Sequence, residues 1–340
     1  MSDSIILDVK HLNTEFMVDR KRVGIVKDVS FQLRKGKTLA IVGESGCGKS
    51  MTVHSLLKLV PKNAMVSAEA IIYRSYKNGT EKEYDLSKLP PYGKDFRSLR
   101  GTEISMIFQD PMASLNPVYR VGDQIIEGLL QHNPRMKKKD AMDAAVEMLR
   151  NLGIPSPEQR INAFPHQLSG GMKQRVVIAI AMICNPEIII ADEPTTALDV
   201  TIQAQIMELM KKLQLENHKS IIMITHNMGL VADMADDAIV MYMGRIVEQA
   251  TVEEIFNHPQ HPYTVALLNS VPMIGADKRN ELSTIPGVTP NPADLTEGCE
   301  FADRCNYCTA GCRKGNIPFV EVSVNHFVRC LKYSDLSEGN

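Results

Sequence analysis

The stretch Gly43-Glu44-Ser45-Gly46-Cys47-Gly48-Lys49-Ser50 constrains this chain more than any other, because it fits G-x-x-x-x-G-K-[ST], a loop that works only between a buried strand and a helix. Both flanks have the required character. Thr38-Leu39-Ala40-Ile41-Val42 is a short apolar run suited to a buried parallel strand, and residues 49–60 carry helically spaced apolar positions as far as Pro61. The glycines let backbone N–H groups turn inward around phosphate oxygens, and the positive end of the helix dipole faces the same anion. Lys49 is placed to reach the β and γ phosphates and Ser50 to put its hydroxyl on Mg²⁺. A nucleoside triphosphate, ATP or GTP, is the expected ligand.

At 340 residues the chain suits one large α/β unit with an appendage. A formal net charge of -2 gives no global electrostatic case for nucleic acid as a partner. Residues 1–8 show neither a basic leader nor an apolar segment with a cleavage site, so the cytoplasmic side is the expected location. No apolar run approaches the roughly 18–20 residues that span a bilayer; the longest candidate, residues 176–184, is far shorter. Any membrane role is expected to run through a partner, with this chain peripheral.

In chain order, residues 5–33 alternate apolar and polar positions around a polar turn near Asp19-Arg20-Lys21-Arg22, the pattern of a small antiparallel sheet. Phe16 precedes that turn and suits either stacking on an adenine ring or a half-buried strand position. Ile104-Ser105-Met106-Ile107 reads as a strand that ends at Gln109 before the break at Pro111. In a parallel sheet ligands bind at the C-terminal strand ends, so Gln109 is expected either to reach Mg²⁺ or the attacking water, or to be a plain loop residue. Residues 121–152 have helical spacing interrupted by the solvent-facing Lys137-Lys138-Lys139, and read as an inserted helical subdomain. Leu168-Ser169-Gly170-Gly171 opens another helix and offers either an anion site or an ordinary N-cap. Ile188-Ile189-Ile190-Ala191-Asp192-Glu193 is a buried strand ending in two carboxylates. Asp192 suits the metal shell and Glu193 a water-activating general base. Ile221-Ile222-Met223-Ile224-Thr225-His226 places His226 on the same edge.

Together these residues resemble the ATP-binding cassette (ABC) family: P-loop, Gln109 loop, Leu168-Ser169-Gly170-Gly171-Met172-Lys173-Gln174-Arg175 signature, Asp192-Glu193, Ala197-Leu198-Asp199 and His226, in the family's order over about residues 5–255. The resemblance implies an α/β fold: a P-loop NTPase (RecA-like) parallel-sheet core with an N-terminal antiparallel β subdomain, a helical subdomain at about 110–175 and a small cysteine-rich C-terminal appendage. It divides the chain into a nucleotide-binding domain, 1–260, and an extension, 261–340. It also implies a head-to-tail dimer in which Ser169, Gly170 and Gly171 serve the partner's ATP while Gly43, Glu44, Ser45, Gly46, Cys47, Gly48, Lys49 and Ser50 hold this chain's own. Glu193 then polarises water, His226 holds the γ-phosphate and that water in line, Asp199 links the two sites, and Ser50, Gln109 and Asp192 face Mg²⁺.

A narrower resemblance, carried by Phe108-Gln109-Asp110-Pro111-Met112-Ala113-Ser114-Leu115-Asn116-Pro117 and by His261-Pro262-Tyr263-Thr264, is to the ATPase subunits of dipeptide and oligopeptide importers. It implies two transmembrane permease subunits, a second ABC ATPase subunit (a heterodimer rather than a homodimer) and, indirectly, an extracellular substrate-binding protein. Importers of nickel or oligosaccharides share the architecture. A soluble ABC ATPase of DNA repair or translation is the rival; the absence of a long coiled-coil insertion, a second cassette and a basic composition speaks against it.

Five of the seven cysteines, Cys299, Cys305, Cys308, Cys312 and Cys330, crowd into the tail. Four thiolates suit a [4Fe–4S] cluster or a tetrahedral Zn²⁺, and free or disulfide-linked cysteines are the third reading. The importer resemblance implies a cluster on Cys299, Cys305, Cys312 and Cys330, whereas the Cys305-x-x-Cys308 spacing is one that zinc sites favour.

Overall fold

The computed structural model describes residues 4–196, 198–270, 285–295 and 297–338; Ala197 of the Ala197-Leu198-Asp199 motif lies outside the described residues. Two strands of 14 residues, Ile5–Val18 and Lys21–Arg34, pair antiparallel across a tight turn whose residues Asp19 and Arg20 both have positive φ. Such a turn matches the right-handed twist of the strands it joins. Ala64–Ser67, Ala70–Ser75 and Lys82–Asp85 complete this first sheet.

The second sheet runs in the order Val320–Ser323, His326–Val328, Arg245–Thr251, Asp237–Tyr242, Thr38–Val42, Ser220–Thr225, Ile188–Asp192 and Ile104–Ile107. The last five are parallel to one another. Their near-continuous apolar sequences follow from burial on both faces. Leu39 and Ile41, with Ile188, Ile190, Ile222 and Ile224, face a core shared with the antiparallel sheet. Ala40 and Val42, with Ile189, Ala191, Ile221 and Met223, face a second core shared with the helices. Three layers result: antiparallel sheet, parallel sheet, helices.

The helical insertion comprises Pro111–Ser114, Val121–His132, Lys138–Asn151 and Pro157–Arg160, and leads into Gly170–Met182. The spacing over residues 121–152 is thus two helices. The break follows from Asn133-Pro134, since a residue before proline is driven out of the α region. Lys137, Lys138 and Lys139 open the second helix and are exposed.

The C-terminal hairpin, Val320–Ser323 with His326–Val328, joins the main sheet through Arg245–Thr251. Glu248 fastens this junction. Its side chain is 0 % exposed, and it accepts hydrogen bonds from the backbone N–H of Gln260 (2.7 Å) and His261 (2.9 Å), with His326 Nε2 at 2.8 Å. Burial opposes protonation of His326, but the hydrogen bond and charge of Glu248, with the charge of Glu254, raise its pKa overall. His261, fully buried, is instead lowered to about 4.

A histidine raised in the folded state contributes stability that is complete below its unfolded value of about 6.5 and is lost as pH rises through the folded value. The variant His326→Gln keeps a donor toward Glu248 and loses the charge. It should therefore cost more stability near pH 6 than near pH 9 in urea titrations; a penalty that grows toward alkaline pH would contradict the assignment. Comparing variant with wild type at each pH cancels the opposing contribution of His261.

Candidate nucleotide site

The parallel register decides where the polar residues meet. Val42 lies opposite Thr225, Asp192 opposite Ile224, and Ile107 opposite Ala191. The P-loop, Gln109, Asp192-Glu193 and His226 therefore leave the sheet at one edge, although up to 183 residues separate them in sequence.

The P-loop needs glycine at two positions for steric reasons. A Cβ on Gly43 (φ +151°) would sit 2.3 Å from the Met241 carbonyl oxygen, and one on Gly48 (φ +102°) would sit 2.7 Å from that of Ile25. The loop is thereby pressed against neighbouring backbone, and its amides open the helix Lys49–Leu56. Lys49 Nζ donates to the carbonyls of Gly43 (2.9 Å) and Glu44 (3.0 Å), which keeps the cation inside the loop. Ser45 and Gly46 are exposed at its rim. The Cys47 side chain is buried in the core beneath the loop, and burial pushes the thiol pKa up.

Ser50 Oγ donates to Asp192 Oδ1 at 2.9 Å, which brings the P-loop helix and the acidic strand together. Two oxygen donors side by side are a ligand set suited to a hard divalent cation. Beside them, Glu193 takes a left-handed backbone (φ +44°), and its carboxylate is 13 % exposed. Gln109 Nε2 donates to Glu193 Oε2 (3.0 Å), as does the Thr196 hydroxyl (2.8 Å), and His226 Nδ1 lies 3.3 Å from Oε1. Three residues expected from their strand-end positions thus converge on one another.

The structure places the remaining candidates elsewhere. Ser169 caps the helix Gly170–Met182, its Oγ accepting from the Met172 N–H, and Ser169 and Gly170 face solvent. Among the described residues no hydrogen bond joins Ser169, Gly170 or Gly171 to residues 43–50. Gly171 is tight, since a Cβ there would lie 2.9 Å from Ile202 Cγ2. Asp199 caps the helix Val200–Asn217 by accepting from the Ile202 N–H at 3.0 Å and is exposed. Phe16 is a half-buried strand residue flanked by Val23 and Ala64.

Residues 26–196 match the ABC transporter family, and residues 247–312 match the oligopeptide/dipeptide transporter C-terminal region. The chain belongs to the ABC transporter family. The dipeptide transport ATP-binding protein DppD of Lactococcus lactis is 47 % identical, covering 97 % of this chain and 91 % of that protein. The oligopeptide transport ATP-binding protein OppD of Bacillus subtilis is 47 % identical, covering 95 % and 88 %. Among solved structures, the ATP-binding cassette MJ0796, dimeric and bound to ADP and Pi, aligns with a TM-score of 0.60 at 25 % identity over 72 % of this chain and 98 % of its own. CbiO1 from Clostridium perfringens, part of the transporter complex cbiONQ, aligns with a TM-score of 0.60 at 26 % identity over 75 % and 91 %.

As an ABC ATPase the chain has the expected α/β P-loop fold. The tail cysteines are all unpaired, and Cys299, Cys305, Cys308, Cys312 and Cys330 line one cavity of about 310 Å³. Burial pushes the Cys299 thiol up to about 12 and raises those of Cys305 and Cys330. Among the described residues no three metal-ligating side chains close on a single ion-sized point, so the geometry by itself assigns no metal there.

Some contacts escaped the sequence. His54 Nε2 lies 3.5 Å from Asp192 Oδ2, and Tyr263 and Arg304 both reach Glu44 of the P-loop. Tyr263 belongs to the His261-Pro262-Tyr263-Thr264 mark, but nothing in that motif points to the P-loop. Because Cys47 is buried, it should alkylate in the native protein far more slowly than in unfolded protein. Peptide mapping after brief iodoacetamide treatment would show this, and rapid native labelling would contradict the inward-facing thiol.

Proposed function

We propose that the chain hydrolyses ATP to drive uptake of di- and oligopeptides through a membrane importer. The observation that carries this is the convergence of Gln109, Glu193 and His226 beside the Ser50–Asp192 pair, in a chain whose C-terminal part matches the peptide-transporter region. The loop of residues 43–50 wraps the triphosphate with those backbone N–H groups that face its opening, the Glu44 N–H being taken by Tyr263, and Lys49 neutralises the terminal phosphates. Ser50 and Asp192, with Gln109, would hold Mg²⁺, which would supply charge stabilisation to the phosphoryl oxygens. Glu193, oriented by Thr196, Gln109 and His226, accepts the proton of the attacking water, and His226 steadies the γ-phosphate.

Ser169 and Gly170 face solvent at a helix N-terminus, which supports their serving a second cassette's nucleotide, with Asp199 linking the two sites. MJ0796 was solved as a dimer, and we read the partner here as a related, non-identical cassette. ATP-driven closure and hydrolysis-driven reopening then supply the stroke. In this reading the half-buried Phe16 ring stacks on the adenine. Exposed Phe108, Met112, Val118 and Tyr119 around the Gln109 loop support docking of two permease subunits. Among the described residues no helix is long and apolar enough to cross a membrane. In this reading the subunit is peripheral, at the cytoplasmic face. An external binding protein and the permeases select the cargo. The 47 % identity to DppD and OppD, over 95 % or more of the chain, favours peptides over nickel or oligosaccharides, and transport over DNA repair or translation.

Residues 1–260 form the nucleotide-binding domain and residues 261–340 its extension in this reading. For the extension we favour a [4Fe–4S] cluster held by Cys299, Cys305, Cys312 and Cys330. Thiols spread around a cavity of about 310 Å³ support a polynuclear group more than one Zn²⁺, which needs its sulfurs within about 2.3 Å. Anaerobically purified protein should contain iron and absorb in the visible; stoichiometric zinc in its place would overturn the cluster.

Glu193→Gln should retain ATP binding, lose at least about 100-fold in turnover and trap the closed dimer. Steady-state hydrolysis, nucleotide binding and gel filtration test this, and near-normal turnover would remove Glu193 from its role. Purification from native membranes should recover permease subunits; a ribosomal or DNA-bound complex would overturn the transport reading.

A further inference from the structure

Glu44, the second residue of the P-loop, is gripped by the C-terminal part of the chain. Arg304 Nη1 donates to Glu44 Oε2 at 2.6 Å and Nη2 to Oε1 at 2.9 Å, a bidentate pair across 260 residues of sequence. The Arg304 side chain is only 6 % exposed. Its Nε donates to the Pro286 carbonyl (2.8 Å) and Nη1 also to the Tyr242 hydroxyl (3.3 Å), so the guanidinium is fixed independently of Glu44. Thr289 Oγ1 donates to Glu44 Oε2 at 3.3 Å, and the Glu44 N–H donates to the Tyr263 hydroxyl at 2.8 Å. Tyr263 is itself wedged between Tyr242 and Phe301, with ring centroids 4.7 and 5.3 Å away. On its other side, the Glu44 carbonyl accepts from Lys49.

A carboxylate within the P-loop repels the phosphates the loop must hold, unless a cation cancels it and turns it aside. We propose that Arg304 does this: it is a positioning residue for ATP that neutralises Glu44 and, with Tyr263, holds the loop open to the triphosphate. The C-terminal region thereby forms part of the nucleotide site. The short turn Ala302–Arg304 has two sides, since Phe301, Ala302 and Cys305 line the cysteine cavity while Arg304 reaches the P-loop. By reciprocity, nucleotide binding must also tighten that turn.

The inference rests on ATP binding at the P-loop, and binding of a fluorescent ATP analogue to full-length protein tests both. Wild type must bind; if it does not, the nucleotide assignment itself fails. Arg304→Gln should bind about tenfold more weakly, within the usual range of coupling between packed sites. The defect should shrink at high salt, because a freed, part-exposed carboxylate is screened. The double variant Glu44→Gln/Arg304→Gln should recover most of the lost affinity, an outcome a merely structural arginine does not permit. Wild-type affinity in Arg304→Gln, or a double variant as weak as the single, would overturn the proposal. Should the variants fold poorly, hydrogen exchange on wild-type protein decides: amides of residues 301–305 should exchange more slowly with nucleotide bound, and unchanged exchange would refute the coupling.

Discussion

The parallel pairing of five strands is the constraint on which the rest of this molecule depends. Parallel strands end on the same side, and their register here sets Val42 opposite Thr225, Asp192 opposite Ile224 and Ile107 opposite Ala191, so the strand ends gather in a short stagger at one edge. Each strand is covered on both faces, by the antiparallel sheet on one and by helices on the other. Side-chain chemistry is therefore excluded from the strand bodies and concentrated where they stop. A one-residue slip in any of them would exchange the two apolar cores and withdraw a polar group from the edge.

At that edge the site is held by short polar links between different strands. Ser50 to Asp192 joins the P-loop helix to the acidic strand, and Glu193 ties the Gln109 loop to His226. The left-handed backbone of Glu193, unusual for a residue with a Cβ, is retained while its carboxylate is surrounded by Gln109, Thr196 and His226. This backbone conformation belongs to the site, since the residue that adopts it is the one whose carboxylate meets Gln109 and His226.

The C-terminal region is built into the cassette by buried charge. Glu248 receives two backbone N–H groups and His326, which extends the main sheet by a hairpin and pins the start of the helix Pro262–Asn269. That helix carries Tyr263 to the P-loop, and the turn before Cys305 carries Arg304 there. A segment with few strands of its own is thus ordered by contact with the sheet and with the nucleotide loop. Its cysteines line a cavity on the far side of the same turn.

The P-loop, the acidic strand and the strand-end Gln109 and His226 were legible in the sequence because each is a local pattern: an apolar run of strand length that stops at a polar residue. The signature helix was legible for the same reason, as Ser169 and the glycines mark its start. The single helical period at residues 121–152 hid two helices, since spacing survives a break that only Asn133-Pro134 betrays. Cys47 read as part of the loop, yet its thiol belongs to the core beneath, because side-chain direction depends on which neighbours close around the backbone. By itself the sequence determined the fold class, the phosphate loop and the identity of the residues at the strand ends, all properties encoded within a few residues of one another. Tertiary structure alone decided which of them touch, and that Arg304 and Tyr263 grip Glu44, because contacts across hundreds of residues are set by sheet register and burial and leave no local signal.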